Sequence, residues 1–324
     1  MAECTQEAGE VLAALDLGTN NCRLLIARPA RADGFRVIDG FSRIVRLGQG
    51  LEADGVLSEA AMARALSALG ICASKIRKRG VTAFRGVATE ACRRARNGAE
   101  FLARVYERTG LALETIAPAE EADLALAGCA ALLDQGRPHG IAFDIGGGST
   151  EVLWLAREGE RWRRVDFVSL PLGVVAVARR LGQGPIAAGE YAACVSDIAA
   201  RLAELDSRHD IAGHVAAGRV EMVGTSGTVT TLSGIAMGLE RYDRAQVDGS
   251  WLDLDTVRRI SKDLAAADFE GRARFGCVGR DRADLVVAGC VLLEGICARW
   301  PIPRLRVADR GLREGILMGL MRRA

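Results

Sequence analysis

The chain has 324 residues, 49% hydrophobic and 26% charged, with a formal net charge of +2. That length allows two domains with separate cores, and the near-neutral balance gives no argument for nucleic-acid binding. No apolar run approaches the roughly 18 residues of a membrane span, and the polar, acidic residues 1–10 do not read as a signal peptide. Nine scattered cysteines without a CxxC pair point to reduced, buried thiols in a cytoplasmic protein rather than a disulfide frame or zinc site. The three histidines, His139, His209 and His214, leave little room for a histidine metal site, and His209-Asp210 reads as a surface turn. All but three of the 43 basic residues are arginines, whose forks suit phosphate oxygens, although codon usage alone would produce the same bias.

In chain order, strands are expected over 12–17, 22–27, 35–39 and 43–47, as a meander. A helix follows from the N-cap Ser58 to about Arg79, with Met62, Leu66, Leu69, Cys72 and Ile76 on one stripe. Residues 81–89 read as a strand. Asn97, with Glu100 three residues on, reads as the N-cap of a helix that Gly110 closes. A strand over 111–116 precedes a helix opened by Pro118 in its favoured first-turn position. Strands over 141–143 and 152–156 flank a Gly-rich turn, and another strand covers 163–168. Helices are expected over 174–181 and 184–206. A strand over 220–223 runs into Gly224-Thr225-Ser226-Gly227-Thr228 and a further helix. Helices over 253–267 and 282–299, a strand over 304–307 and a helix over 311–321 complete the chain. The pattern is two successive αβ units. Residues 1–123 with 301–324 are expected to form one domain and 124–300 the other, with Pro301 and Pro303 marking the return crossing.

No GxxxxGK[ST] is present, which excludes a Walker loop. A Rossmann fingerprint fails because Glu151 stands where its third glycine belongs and a strand, not a helix, follows. Gly224-Thr225-Ser226-Gly227 ends in Thr228, so it is no nucleophile elbow. Two stretches do repeat a theme, Asp16-Leu17-Gly18-Thr19-Asn20-Asn21 and Asp144-Ile145-Gly146-Gly147-Gly148-Ser149-Thr150-Glu151. In each, an apolar run ends in a carboxylate, and a Gly-containing turn with hydroxyl side chains leads into a second strand. Such hairpins offer backbone N–H groups to an anion and a carboxylate to a cation. Facing one another, they would grip a phosphate chain and its Mg²⁺.

With these go Ala88-Thr89-Glu90-Ala91-Cys92-Arg93, Glu120-Glu121-Ala122, Leu170-Pro171-Leu172-Gly173 and Asp309-Arg310-Gly311-Leu312-Arg313-Glu314-Gly315. In this order they resemble the exopolyphosphatase / guanosine pentaphosphate phosphohydrolase (Ppx/GppA) family over essentially the whole chain. The resemblance implies an α/β fold of two duplicated RNase H-like (actin-like ATPase) domains with the active site in an interdomain cleft. It implies metal-dependent release of terminal phosphate from polyphosphate or of the γ-phosphate from guanosine pentaphosphate, with neither favoured. Glu121 matches the family's catalytic glutamate and Arg93 a phosphate-contacting arginine, with Arg46 a weaker candidate. Asp16, Asp144 and Glu151 are the expected ligands for Mg²⁺, with Mn²⁺ as the alternative. Phosphate contacts are expected from Thr19, Asn20, Asn21, Gly146, Gly147, Gly148, Ser149, Thr150, Gly224, Ser226 and Gly227. Asp123 stands where the family usually has an arginine, which bears on phosphate affinity. Neither nucleic acid nor membrane is an expected partner, and a homodimer is left open. Two rivals are an acceptor-dependent kinase of the same superfold and a non-catalytic sensor of polyphosphate or guanosine pentaphosphate.

Overall fold

A computed structural model describes residues 10–30, 34–134 and 136–322; Cys4 and most of residues 1–10 lie outside these. The chain divides into two compact units, residues 1–128 with 312–324, and residues 129–311.

The first unit is built on β1 (Leu12–Leu17), β2 (Asn21–Ala30), β3 (Gly34–Ile44), β4 (Ala83–Ala88) and β5 (Leu113–Thr115), ordered β3-β2-β1-β4-β5. β1 pairs antiparallel with β2 and parallel with β4. Its sequence, LAALDL, is apolar almost throughout because both faces are covered. Ala13, Leu15 and Leu17 pack with Leu24, Leu69 and Phe101, whereas Leu12 and Ala14 pack with Val87, Ile316 and Leu317. One face thus lies beneath the Glu59–Lys78 and Gly98–Thr109 helices and the other beneath the C-terminal Leu312–Met321 helix.

The second unit repeats the plan with β6 (His139–Ile145), β7 (Thr150–Glu158), β8 (Arg161–Leu170), β9 (Val220–Thr225), β10 (Trp251–Asp253) and β11 (Arg304–Ala308). The order β10-β11-β9-β6-β7-β8 again pairs a three-stranded antiparallel meander with parallel strands. Ile141, Phe143 and Ile145 of β6 enter a core shared with the Val286–Arg299 helix.

Several expectations change. Residues 35–39 and 43–47 are not two strands; β3 runs unbroken through Gly40, whose partner Leu25 continues the ladder. The expected helix over 184–206 is two, Ala188–Arg201 and Ala203–His209, hinged at Leu202. Ser58 does cap its helix, its Oγ accepting from Ala61 N at 3.3 Å. Asn97 does not; its amide exchanges both hydrogen bonds with the Leu57 backbone, at 2.8 and 3.0 Å. His209 is no idle turn residue, since its Nε2 lies 2.8 Å from Asp166 Oδ2. Residues 301–311 stay with the second unit because β11 pairs with β9, so the chain returns to the first unit after Gly311 rather than at Pro301.

Candidate functional site

In the first unit, Asp16 closes β1 opposite Arg23, and Gly18 N donates to Asn21 O at 2.9 Å across the turn. The tip is pinned from behind. Asn20 O accepts from Val45 N and Arg46 N at 2.8 and 3.0 Å, and Thr19 O accepts from Gly48 N at 2.9 Å. Gly48 is required there, because a Cβ would stand 2.4 Å from Thr19 Cγ2. Burial raises the Asp16 carboxyl above its ordinary range, opposed by the positive charges of Arg23 and Arg313. Thr19 Oγ1 and Asn20 Oδ1 are buried without a hydrogen-bond partner. Buried orphan oxygens cost about 1–3 kcal/mol each, so this tip carries polar groups that await one.

β4 is followed by Thr89, whose N donates to Leu17 O beside that tip, and then by the short Glu90–Arg94 helix. Arg93 reaches from it to the Pro118–Cys129 helix. Its guanidinium donates to Ile116 O at 2.8 Å, to Glu121 Oε2 at 3.1 Å and to Glu90 Oε2 at 2.6 Å. Glu121 occupies the first turn of its helix, where the dipole favours an ionised carboxylate. Its neighbour Glu120 is held instead by Arg85, which also binds Glu114 at 2.7 Å. Asp123 is exposed on the same helix. Arg93 was expected to contact phosphate; in this structure its donors lie on two carboxylates and a carbonyl.

In the second unit, Asp144 and Glu151 are directly opposed across β6 and β7. Gly146 N donates to Ser149 O at 2.9 Å, and a Cβ on Gly146 would stand as close. The carbonyls of Gly146 and Gly147 accept from Val174 N and Val175 N, both at 3.0 Å, so the tip is sewn to the start of the Val174–Leu181 helix. That approach depends on Gly173, whose Cβ would stand 2.4 Å from Gly147 C and O. Gly173 closes the Leu170-Pro171-Leu172-Gly173 motif, and the sequence alone gives no sign of this task. Neither Gly18 nor Gly146 has a left-handed φ; Gly146 allows close backbone approach, whereas a Cβ on Gly18 would make only ordinary contacts.

Three expected phosphate ligands prove to have structural duties. Thr150 is fully buried, and its hydroxyl donates to Leu172 O at 2.7 Å. Gly224 lies inside β9, where a Cβ would meet Phe143 Cζ at 2.4 Å. Ser226 caps the Gly227–Ala236 helix, its Oγ accepting from Thr228 N and Val229 N, both at 3.1 Å. Its hydroxyl proton remains available to an anion. The Asp309-Arg310-Gly311 motif is likewise fastened: Arg310 pairs with Asp248, and Arg244 with Asp309 at 3.3 Å.

The second hairpin suits a divalent cation. Two carboxylates facing each other across a ladder repel, and an all-oxygen set is what Mg²⁺ takes. Ser169 Oγ donates to Glu151 Oε1 at 2.8 Å and orients it. Among the described residues no three His, Cys, Asp or Glu side chains gather as a metal nest. Mg²⁺ commonly keeps waters and phosphate oxygens in its remaining positions.

The fold defines an α/β protein of the actin-like ATPase superfold with two domains. The Ppx/GppA phosphatase family model matches residues 25–324, and the chain belongs to that family. It is 30% identical over 323 residues to Exopolyphosphatase 2 of Mycobacterium tuberculosis, covering 95% of this chain and 98% of that one. Among solved structures it resembles the Aquifex aeolicus member of the Ppx/GppA family, at 28% identity and a TM-score of 0.79. That match covers 97% of this chain and 98% of the other. An exopolyphosphatase-like protein aligns over the same shares at 28% identity and a TM-score of 0.86.

Proposed function

We propose that this phosphatase hydrolyses inorganic polyphosphate from its end, with Glu121 as the general base. The observation that carries the reading is the Glu121 carboxylate, anchored 3.1 Å from Arg93 in the first turn of its helix. A water molecule attacks the terminal phosphorus, Glu121 takes its proton, and the bridging P–O bond breaks. Orthophosphate and a chain one unit shorter leave. Phosphoryl transfer demands positioning and charge neutralisation more than covalent chemistry, and the two hairpin tips supply groups for both. Thr19, Asn20 and Asn21 in the first unit, and Gly147, Gly148 and Ser149 in the second, are assigned to phosphate oxygens. Asp144 and Glu151 would hold Mg²⁺, and Asp16 is assigned to cation binding in the first unit. When bound, the ion neutralises charge on the phosphate oxygens. The similarity to Exopolyphosphatase 2 supports polyphosphate as substrate; guanosine pentaphosphate is the competing substrate within the same family.

The test is phosphate release by wild type and Glu121→Gln with Mg²⁺ and long polyphosphate, tripolyphosphate, guanosine pentaphosphate or ATP. The expected result is release from polyphosphate, lowered about 10²–10⁴-fold by the substitution. Preference for guanosine pentaphosphate would replace the substrate but keep the base, and no release from any of the four would overturn the reading.

A further inference from the structure

Arg93 is shared. Its Nη2 lies 2.6 Å from Glu90 Oε2 and its Nη1 3.1 Å from Glu121 Oε2, while Arg94 Nε stands 3.7 Å from Glu90 Oε1. Glu90 is a buried residue on a five-residue helix, placed three and four residues before the two arginines it pairs with. A lone i,i+3 pair on a solvated helix contributes little. Here the pair is largely out of water, with side-chain exposures of 11% and 18%, and it fixes the guanidinium that faces Glu121.

We propose that Glu90 is a positioning residue that competes with Glu121 for Arg93 and so sets the proton affinity of the catalytic base. The proposal rests on the role assigned to Glu121 above. Arg93 carries one positive charge between two carboxylates. If Glu121 had all of it, the carboxylate would be held ionised too firmly to accept the proton of water. Glu90 draws part of that charge away, and Arg94 in turn moderates Glu90.

Other charged groups stand near the Pro118–Cys129 helix. Arg85 on β4 is bound to Glu114 on β5 and to Glu120. On the C-terminal helix, whose Gly315 packs on Leu124, Arg313 lies 4.0 Å from Glu314, and both act on Asp16 of β1. Asp123 is exposed.

Charge sharing makes opposite predictions for two substitutions. Glu90→Gln leaves Arg93 to Glu121, so the acid limb of the pH–rate profile moves down by about 0.5–1 unit and kcat falls about 3–10-fold. Arg94→Gln strengthens the hold of Glu90 on Arg93, so the limb moves up by about half a unit. Glu90→Asp restores most of the wild-type profile. The substrate's own ionisation is common to all variants and drops out of the comparison. Carboxyl-carbon NMR titration of Glu121 in the substrate-free protein, assigned by its loss in Glu121→Gln, reads the same shifts without turnover. If wild type releases no phosphate, the hydrolase reading fails while the titration still decides the charge sharing. If hydrolysis holds but the two variants leave the Glu121 midpoint unmoved, or move it in the same direction, the inference is overturned. Should Glu90→Gln fail to fold, Arg94→Gln, at an exposed position, decides alone: an upward shift supports the inference and an unmoved midpoint overturns it.

Discussion

Two aspartates of the first unit show how far neighbours decide what a carboxylate does. Burial raises Asp16, despite Arg23 and Arg313, and leaves it a group that gains from a cation. Asp39 is drawn down to about 2 by the hydrogen bond from Lys75, against burial, with Arg79 and Gly40 N adding to the effect. Its folded-state value lies below its unfolded one, so its contribution is fully present above the ordinary carboxylate range. It is lost as pH falls through about 2. Asp39→Asn is therefore expected to unfold at lower urea than wild type at pH 7, the gap closing between about pH 4 and about pH 2. A gap that stayed constant across that range would show that Asp39 contributes nothing through its charge. At this scale the sequence was legible for Glu121, whose place in a helix start follows from Pro118, but not for Glu90. Its three-residue spacing from Arg93 is common on helices, and only the reach of that arginine across to another helix gives Glu90 meaning.

The Gly146–Thr150 turn shows what an element requires from outside itself. An apolar run ending in Asp144, glycines, and a second run at strand spacing made the hairpin visible in sequence. Its dependence on Gly173 was not visible, because that contact joins residues 147 and 173 through space. Gly173→Ala would force a Cβ to within 2.4 Å of backbone atoms of Gly147, so the tip or the helix behind it must move. The expected cost is about 1–3 kcal/mol of stability, with a KM for tripolyphosphate raised at least tenfold. Gly184→Ala, whose Cβ would meet nothing within 4 Å, serves as the control. Equal KM values for the two variants would remove the tip from phosphate binding. Thr150 and Gly224 carry the opposite lesson. Hydroxyls and glycines near a phosphate-type turn read as ligands, and the sequence did not show that here one also holds Leu172 O and the other also makes room for Phe143.

The whole molecule has two cores, so heat unfolding need not be a single two-state event. Ligand groups are assigned in both units, and this makes a calorimetric prediction. Mg²⁺ with tripolyphosphate at about 100 times its Kd should stabilise what it binds by about 2.7 kcal/mol. With Glu121→Gln protein, which leaves the ligand intact, both transitions are expected to rise, and Mg²⁺ alone is expected to produce a smaller rise. A rise in only one transition would confine binding to that unit.

The sequence by itself determined the α/β alternation, the duplicated carboxylate-tipped hairpins and the family, because these depend on local patterning and residue type. Strand periodicity, a glycine turn and a helix-opening proline are all properties of neighbours along the chain. Only the tertiary structure decided that β11 belongs to the second sheet, that Asn97 binds Leu57 instead of capping a helix, and that Arg93 serves two glutamates. Each of these includes a meeting of groups tens of residues apart, as between Arg93 and Glu121. Those meetings follow from how sheets and helices pack around a core, which no local pattern records.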